Sequence, residues 1–154
     1  MKLIKVFWYI LKIIFVTIQG IIFFFLAVFA RIFNIRLAFD IFRLHLKICC
    51  RIFGLKVAFI FEDDSTRLAK NSVFVLLNQS SFLDSIVTSI HPIKNMRGII
   101  NIEFALYPIL GWFLALTNFV IIRQWSSQAK NTLNRTDRFL RSGGNMMISI
   151  EGKS

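Results

Sequence analysis

The pattern of apolar and polar residues changes near Leu55, and the chain before that point is almost continuously apolar. Residues 13–30 include no charged side chain. About 18 uncharged apolar residues are near the lower limit for a helix that spans a bilayer. We therefore predict a membrane-spanning helix here. Basic residues lie on both sides of it, so the positive-inside rule gives no orientation.

A cleaved signal peptide is the alternative for this first segment, because Val28-Phe29-Ala30 resembles a cleavage site. The apolar core of a signal peptide usually has about 7–15 residues, and the uncharged run here is longer. The pattern therefore favours a retained anchor.

A second helix is predicted from five charged residues at spacings of 4, 3, 4 and 4, namely Arg36, Asp40, Arg43, Lys47 and Arg51. At 100° per residue they share an arc of roughly 80°, and nearly everything else on the helix is apolar. Such a helix suits the headgroup boundary of a membrane, where its cations face anionic lipid. The alternative is a core helix whose charged stripe faces water. Gly54 is expected to end the helix.

After Leu55 the apolar runs become short and are broken by polar turns, as in alternating strands and helices. We predict a polar loop at 62–66, a helix at 82–90 and a mixed segment of helix and turn at 104–116. A last helix is predicted to begin at Ser126 or Ser127 and to run to Arg141, and Gly143-Gly144 ends it. The predicted strands are residues 55–61, 73–77, 98–102, 119–122 and 146–150.

Three of these strands end in polar residues, at Asn78-Gln79, at Arg123 and at Glu151-Gly152. In open α/β sheets, ligands bind at the carboxyl ends of the strands. If the three strands are parallel neighbours, Gln79, Asp84, Arg123 and Glu151 converge on one edge. Taken singly, Asp84 also suits the start of a helix and Arg123 a surface charge at a strand end.

Composition supports a membrane protein and not a nucleic-acid binder. Hydrophobic residues make up 56% of the chain, with 18 Phe, against a usual apolar share of about 45–50%. The net charge is +11, but the N-terminal cations are spaced through apolar runs and do not form a polar cluster. Cys49 and Cys50 are adjacent, so they have no disulfide or metal-ligand spacing. They are expected to be small apolar filler, with acylation as the alternative.

Four sequence blocks, in order, resemble those of the lysophosphatidic acid (1-acylglycerol-3-phosphate) acyltransferase family. Residues 78–84, Asn-Gln-Ser-Ser-Phe-Leu-Asp, resemble the family's Asn-His-x-Ser-x-x-Asp block. Glu103, Pro108 and Gly111-Trp112 are similar to its Glu-Leu…Pro…Gly-Trp segment. Residues 119–123 resemble Phe-Ile-Asp-Arg, with Ile122 in place of Asp, and residues 150–154 resemble Pro-Glu-Gly-Thr-Arg-Ser without the Pro and the Thr-Arg pair.

This resemblance implies a glycerolipid acyltransferase-like α/β fold and acyl transfer from a thioester to a lysophospholipid. In the family, a His takes the proton of a glycerol hydroxyl and an Asp five residues later orients it. By resemblance the Asp is Asp84, Arg123 binds the acceptor phosphate, and the pocket includes Asn78, Ser81, Glu151 and Gly152. Gln79 stands where the family has the His, and a carboxamide cannot take up a proton near pH 7.

The sequence thus predicts membrane-anchoring helices at 1–53 and an acyltransferase-like α/β domain at 54–154, with a mixed or parallel sheet and flanking helices. The domain is expected at the cytoplasmic face of a membrane, in phospholipid biosynthesis, without nucleic acid, metal or cofactor, and with acyl-CoA or acyl-carrier protein as the donor substrate. Because family members continue with more sheet and helix after this point, the α/β domain is expected to be incomplete at its C-terminus, Ser154. The alternatives are an inactive or truncated relative that binds phospholipid or a partner, and a small structural membrane protein.

Overall fold

The computed structural model describes residues 2–61, 63, 70–76, 82–121 and 126–149. Clustering of the chain gives two compact units, Met1–Ala58 and Phe59–Ser154.

The first unit consists of two helices, α1 (Lys2–Phe33) and α2 (Ile35–Phe53). Asn34 separates them and caps α2, because its side-chain Oδ1 accepts a hydrogen bond from the Arg36 N–H at 2.8 Å. The predicted stop at Gly54 is confirmed: Gly54 adopts a φ of 71°, and the following Leu55 N–H donates to the Cys50 carbonyl at 2.8 Å. This left-handed cap satisfies the last carbonyls of the helix.

The two helices pack against each other in antiparallel fashion. Phe23 and His45 are both eleven residues from Asn34 in sequence, and their rings lie 5.8 Å apart. Small side chains let the backbones approach, because Ala27 and Ala30 of α1 and Ala38 of α2 are buried. The rest of the buried surface of α2 comes from larger residues of the same face, namely Phe42, His45, Leu46 and Cys50.

Most of α1 remains exposed although it is apolar. Its segment Leu3–Phe33 is, within the part of the chain described, the single helix long and apolar enough to cross a membrane. A helix that is apolar all round suits a lipid environment. Length and composition thus support the predicted membrane association, and the orientation stays a prediction.

The second unit contains a sheet whose described strands are all parallel. They are β1 (Val73–Leu76), β2 (Met96–Asn101), β3 (Phe119–Ile121) and β4 (Asn145–Ser149), in the order β1-β4-β2-β3. The α/β fold with a parallel sheet, expected from the alternation of short apolar runs, is confirmed. Leu77, Ile122 and Ile150, the last residues of three predicted strands, lie outside the described residues.

The helices of this unit follow the predicted pattern closely. α3 (Phe82–Ile90) has the predicted bounds, and α5 (Ser126–Arg141) begins at one of the two predicted caps. The mixed segment consists of a 3-10 helix (Ile102–Leu106) and α4 (Leu110–Thr117). Core side chains come from α3, α4 and the strands, including Ile90, Met96, Phe113, Phe119 and Met146.

The predicted strand at 55–61 is wrong. These residues have no regular secondary structure, and Ile60 is 94% exposed. The run has strand-forming residues, but a strand is stable only when it pairs with a neighbour, and local preference does not show whether one is present. Of the predicted polar loop at 62–66, Asp63 alone is within the described residues.

Candidate functional site

The carboxyl edge of the sheet is the place where this fold brings strand ends together. Leu76 of β1 is paired with Ser149 of β4, and Asn101 of β2 with Ile121 of β3. Because all four strands run the same way, these four residues lie at one edge. Open parallel sheets bind ligands outside this edge.

Most of the predicted site residues follow these strand ends but lie outside the described residues. This group consists of Asn78, Gln79, Ser81, Arg123, Glu151 and Gly152. The backbone of Asp84 is the third residue of α3, and its side chain is outside the description. The convergence of these side chains therefore remains a prediction, although the parallel strands on which it depends are present.

The described part of the carboxyl edge is the segment that leaves β2. The 3-10 helix begins directly after Asn101, with Glu103 in its first turn. Gly111 then lies so close to this helix that an added Cβ would collide with the Phe104 carbonyl oxygen. The Gly-Trp pair that resembled a family block therefore has a clear structural reason for its glycine.

His91 of the α/β unit lies away from the carboxyl edge. His91 follows the end of α3 and precedes β2, so it belongs to the opposite, amino edge of the sheet. It is buried, and its Nδ1 accepts a hydrogen bond from the Ile93 N–H at 3.0 Å. His45 belongs to the helical unit, where burial lowers its pKa to about 4.

Cys50 is buried and Cys49 is half-buried beside His45, positions that suit the predicted role of small apolar filler. The Cys49 Sγ lies 3.6 Å from His45 Nε2. Burial, with a smaller contribution from Cys50, raises the pKa of Cys49 to about 11. A thiol with so high a pKa holds little thiolate at neutral pH and is a poor nucleophile. Within the described residues, no group of three His, Cys, Asp or Glu side chains could hold a metal ion.

Sequence reasoning did not single out the polar residues that hold the sheet at its amino edge. Asn145 is 1% exposed; its Oδ1 accepts from the Ser72 N–H at 3.1 Å and its Nδ2 donates to the Lys94 carbonyl at 3.0 Å. Similarly, Asn118 Oδ1 accepts from the Gly98 N–H at 2.7 Å. Asn118 ends α4 and directly precedes β3, and Asn145 is the first residue of β4 after α5, so a polar residue between a helix and a strand was the available signal.

A family model described as Acyltransferase matches residues 58–154. No curated protein and no solved structure matches the chain. The match covers the sheet, the helices that flank it and all the positions singled out at the carboxyl edge.

Proposed function

The chain belongs to the acyltransferase family, and we propose that its carboxyl edge transfers an acyl group from a thioester to a lysophospholipid such as 1-acylglycerol-3-phosphate, in phospholipid biosynthesis. The family match supports acyl transfer in general. The acceptor, the donor and the residue roles are the proposal.

The observation that carries this proposal is the pairing of Leu76 with Ser149, the last residues of neighbouring strands. Position 79 follows Leu76 by three residues and position 151 follows Ser149 by two. The strand ends from which the two sequence blocks continue are therefore neighbours in the sheet.

Arg123 follows β3, which is three strands from β1 in the sheet. At about 4.8 Å per strand, the ends of β1 and β3 are separated by about 14 Å. A glycerol phosphate is shorter than this separation, so under the proposal the long side chain of Arg123 would have to extend toward β1 to bind the phosphate while the free hydroxyl meets the block after β1. The planar guanidinium of Arg123 would bind two phosphate oxygens together.

The reaction requires the acceptor oxygen to attack the thioester carbonyl carbon while the carbon–sulfur bond breaks. The proton of the hydroxyl passes in the end to the departing thiolate. Gln79 can donate a hydrogen bond to the acceptor oxygen but cannot take its proton. Loss of a positioned general base costs about 10²–10⁴ in rate, so we expect transfer to be slow.

A second candidate follows from Gln79 alone: a relative that binds lysophospholipid at the same edge without turning it over. An acyl-transfer assay on purified membranes containing the full chain separates the two. Product formation above that of an Arg123→Ala variant supports transfer. Saturable binding of lysophospholipid with no product supports the binding role.

A further inference from the structure

The α/β unit has a second apolar surface, separate from the helices of the first unit. We define the aromatic turn as residues 102–112, the 3-10 helix and the first part of α4. Leu106 is 81% exposed and Tyr107 52% exposed, while Ile102 and Trp112 are each 40% exposed. Contiguous exposed apolar surface marks a site of interaction, and Leu106 and Tyr107 are adjacent in the chain and both more than half exposed.

The backbone holds the aromatic turn in a fixed shape. The Leu110 N–H donates to the Pro108 carbonyl at 2.7 Å across a three-residue turn. The central residue, Ile109, has φ 63° and ψ −69°, a strained conformation for a β-branched residue. Such strain persists only where the surroundings enforce it.

Close backbone contact supplies that enforcement. The Gly111 N–H donates to the Tyr107 carbonyl at 3.0 Å, and the Tyr107 N–H donates to the Phe104 carbonyl at 3.2 Å. Gly111 has no room for a Cβ beside Phe104. The turn is thus rigid, and its shape leaves Leu106 and Tyr107 facing outward and not toward the core.

The residue types favour a bilayer as the occupant of this surface. Trp and Tyr are enriched at membrane–water interfaces, where an apolar ring meets a polar edge. The exposed Leu106, next to Tyr107 in the chain, suits insertion among lipid chains. A bilayer is also permanently near, because α2 ends at Phe53 and the second unit begins at Phe59, so the apolar helix α1 tethers this unit to any membrane it enters.

We propose that the aromatic turn is a second membrane-contact site, with Leu106, Tyr107 and Trp112 in the headgroup region of a phospholipid bilayer. The turn leaves the carboxyl end of β2, so this contact opens the carboxyl edge to the lipid phase. The value of such access for acyl transfer rests on the proposed function, in which the acceptor is itself a lipid. The contact between the aromatic turn and the bilayer does not depend on catalysis.

Site-specific fluorescence in the full-length protein tests the contact. In a Cys49→Ala, Cys50→Ala background, Leu106→Cys is labelled with an environment-sensitive dye and reconstituted in vesicles of phosphatidylcholine and phosphatidylglycerol. The matched control is Leu133→Cys on α5, a leucine that is also mostly exposed, at 56%. Both proteins are held on the vesicle by the same first unit, and both must keep the circular dichroism of the unmodified chain.

We expect the dye at position 106 to shift to shorter emission wavelengths on vesicle binding and to be quenched by spin-labelled lipid, and the dye at 133 to do neither. Quenching at neither position would overturn the contact. Equal quenching at both would also overturn it, since it would show general embedding and not a local site. None of these outcomes depends on acyl transfer, so failure of the proposed function leaves the test intact.

Discussion

Leu76 and Ser149, the last residues of β1 and β4, are paired in register across the parallel sheet. This relationship means that the segments carrying Gln79 and Glu151 start from adjacent points of one edge. We propose that these two blocks, separated by more than seventy residues in sequence, belong to one site. The strand pairing supports treating the four blocks as parts of a single proposed acceptor pocket.

Gly111→Ala should destabilise the α/β unit, because its new Cβ would collide with the Phe104 backbone carbonyl. Overpacking typically costs about 1–3 kcal/mol in unfolding free energy. The matched control is Gly98→Ala, whose Cβ would meet Asn118 Oδ1 at an ordinary 3.5 Å. Denaturant unfolding in detergent measures both. An equal loss of stability in the two variants would contradict the close approach.

Asn145→Ala should weaken the sheet at its amino edge. It removes hydrogen bonds to Ser72 and Lys94, which precede β1 and β2. Each buried group left unsatisfied costs about 1–3 kcal/mol. The control is Asn131→Ala at an exposed position of α5, and its unfolding free energy should change by no more than about 0.5 kcal/mol. Thermal unfolding, followed by circular dichroism, measures both variants. An unchanged unfolding temperature in Asn145→Ala would show that these hydrogen bonds do not stabilise the sheet.

The full-length protein should stay in the membrane fraction at high salt and leave it in detergent. Salt screens the basic stripe of α2, but it does not weaken burial of α1 in lipid. Ile14→Asp with Ile22→Asp should release the protein, since each Asp in a spanning helix costs about 2.5–3.5 kcal/mol. Ile60→Asp with Leu133→Asp, both at exposed positions of the second unit, should not. Release of the unmodified chain by salt alone would contradict the anchor.

Acid should loosen the packing of α1 and α2 through His45. Burial lowers its pKa from 6.5 to about 4 in the folded protein, so the unfolded state binds the proton more readily. This contribution to stability is complete above pH 6.5 and is lost as the pH falls toward 4. Thermal unfolding of the helices in nonionic detergent should show the loss. A His45→Gln variant should be insensitive to pH in that window, and equal sensitivity in both proteins would assign the effect elsewhere.

Most helices and strands of the second unit were predictable because the local pattern of apolar, polar and capping residues indicates them. The bounds of α3 and the start of α5 at Ser126 follow from apolar periodicity and capping residues. The predicted strand at 55–61 was wrong for a non-local reason, since a strand forms only where a neighbouring strand is present to pair with it. The sequence likewise did not determine the order or direction of the strands. Parallel neighbouring strands could only be assumed when the convergence of the site residues was predicted.

The sequence names the candidate site as positions and not as geometry. Family resemblance located Gln79 and Arg123 in sequence, while the structure adds that the strands preceding them, β1 and β3, end at the same edge of the sheet. The exposure of Leu106 was not predictable, because it arises from the strained turn at Ile109 and from backbone contact at Gly111. Pro108 and Gly111 indicated a break there, but not its direction.

The central claim is that the carboxyl edge is an acyltransferase site in which Gln79 stands in place of the general base. Gln79→His restores an imidazole to a position five residues before Asp84, the spacing that lets a carboxylate orient it. Acyl transfer to 1-acylglycerol-3-phosphate, measured in membranes, should rise by about 10² or more, the scale of a regained general base. The gain should vanish in Gln79→His with Asp84→Ala. Robust activity of the unmodified chain that is indifferent to Asp84→Ala would contradict the claim.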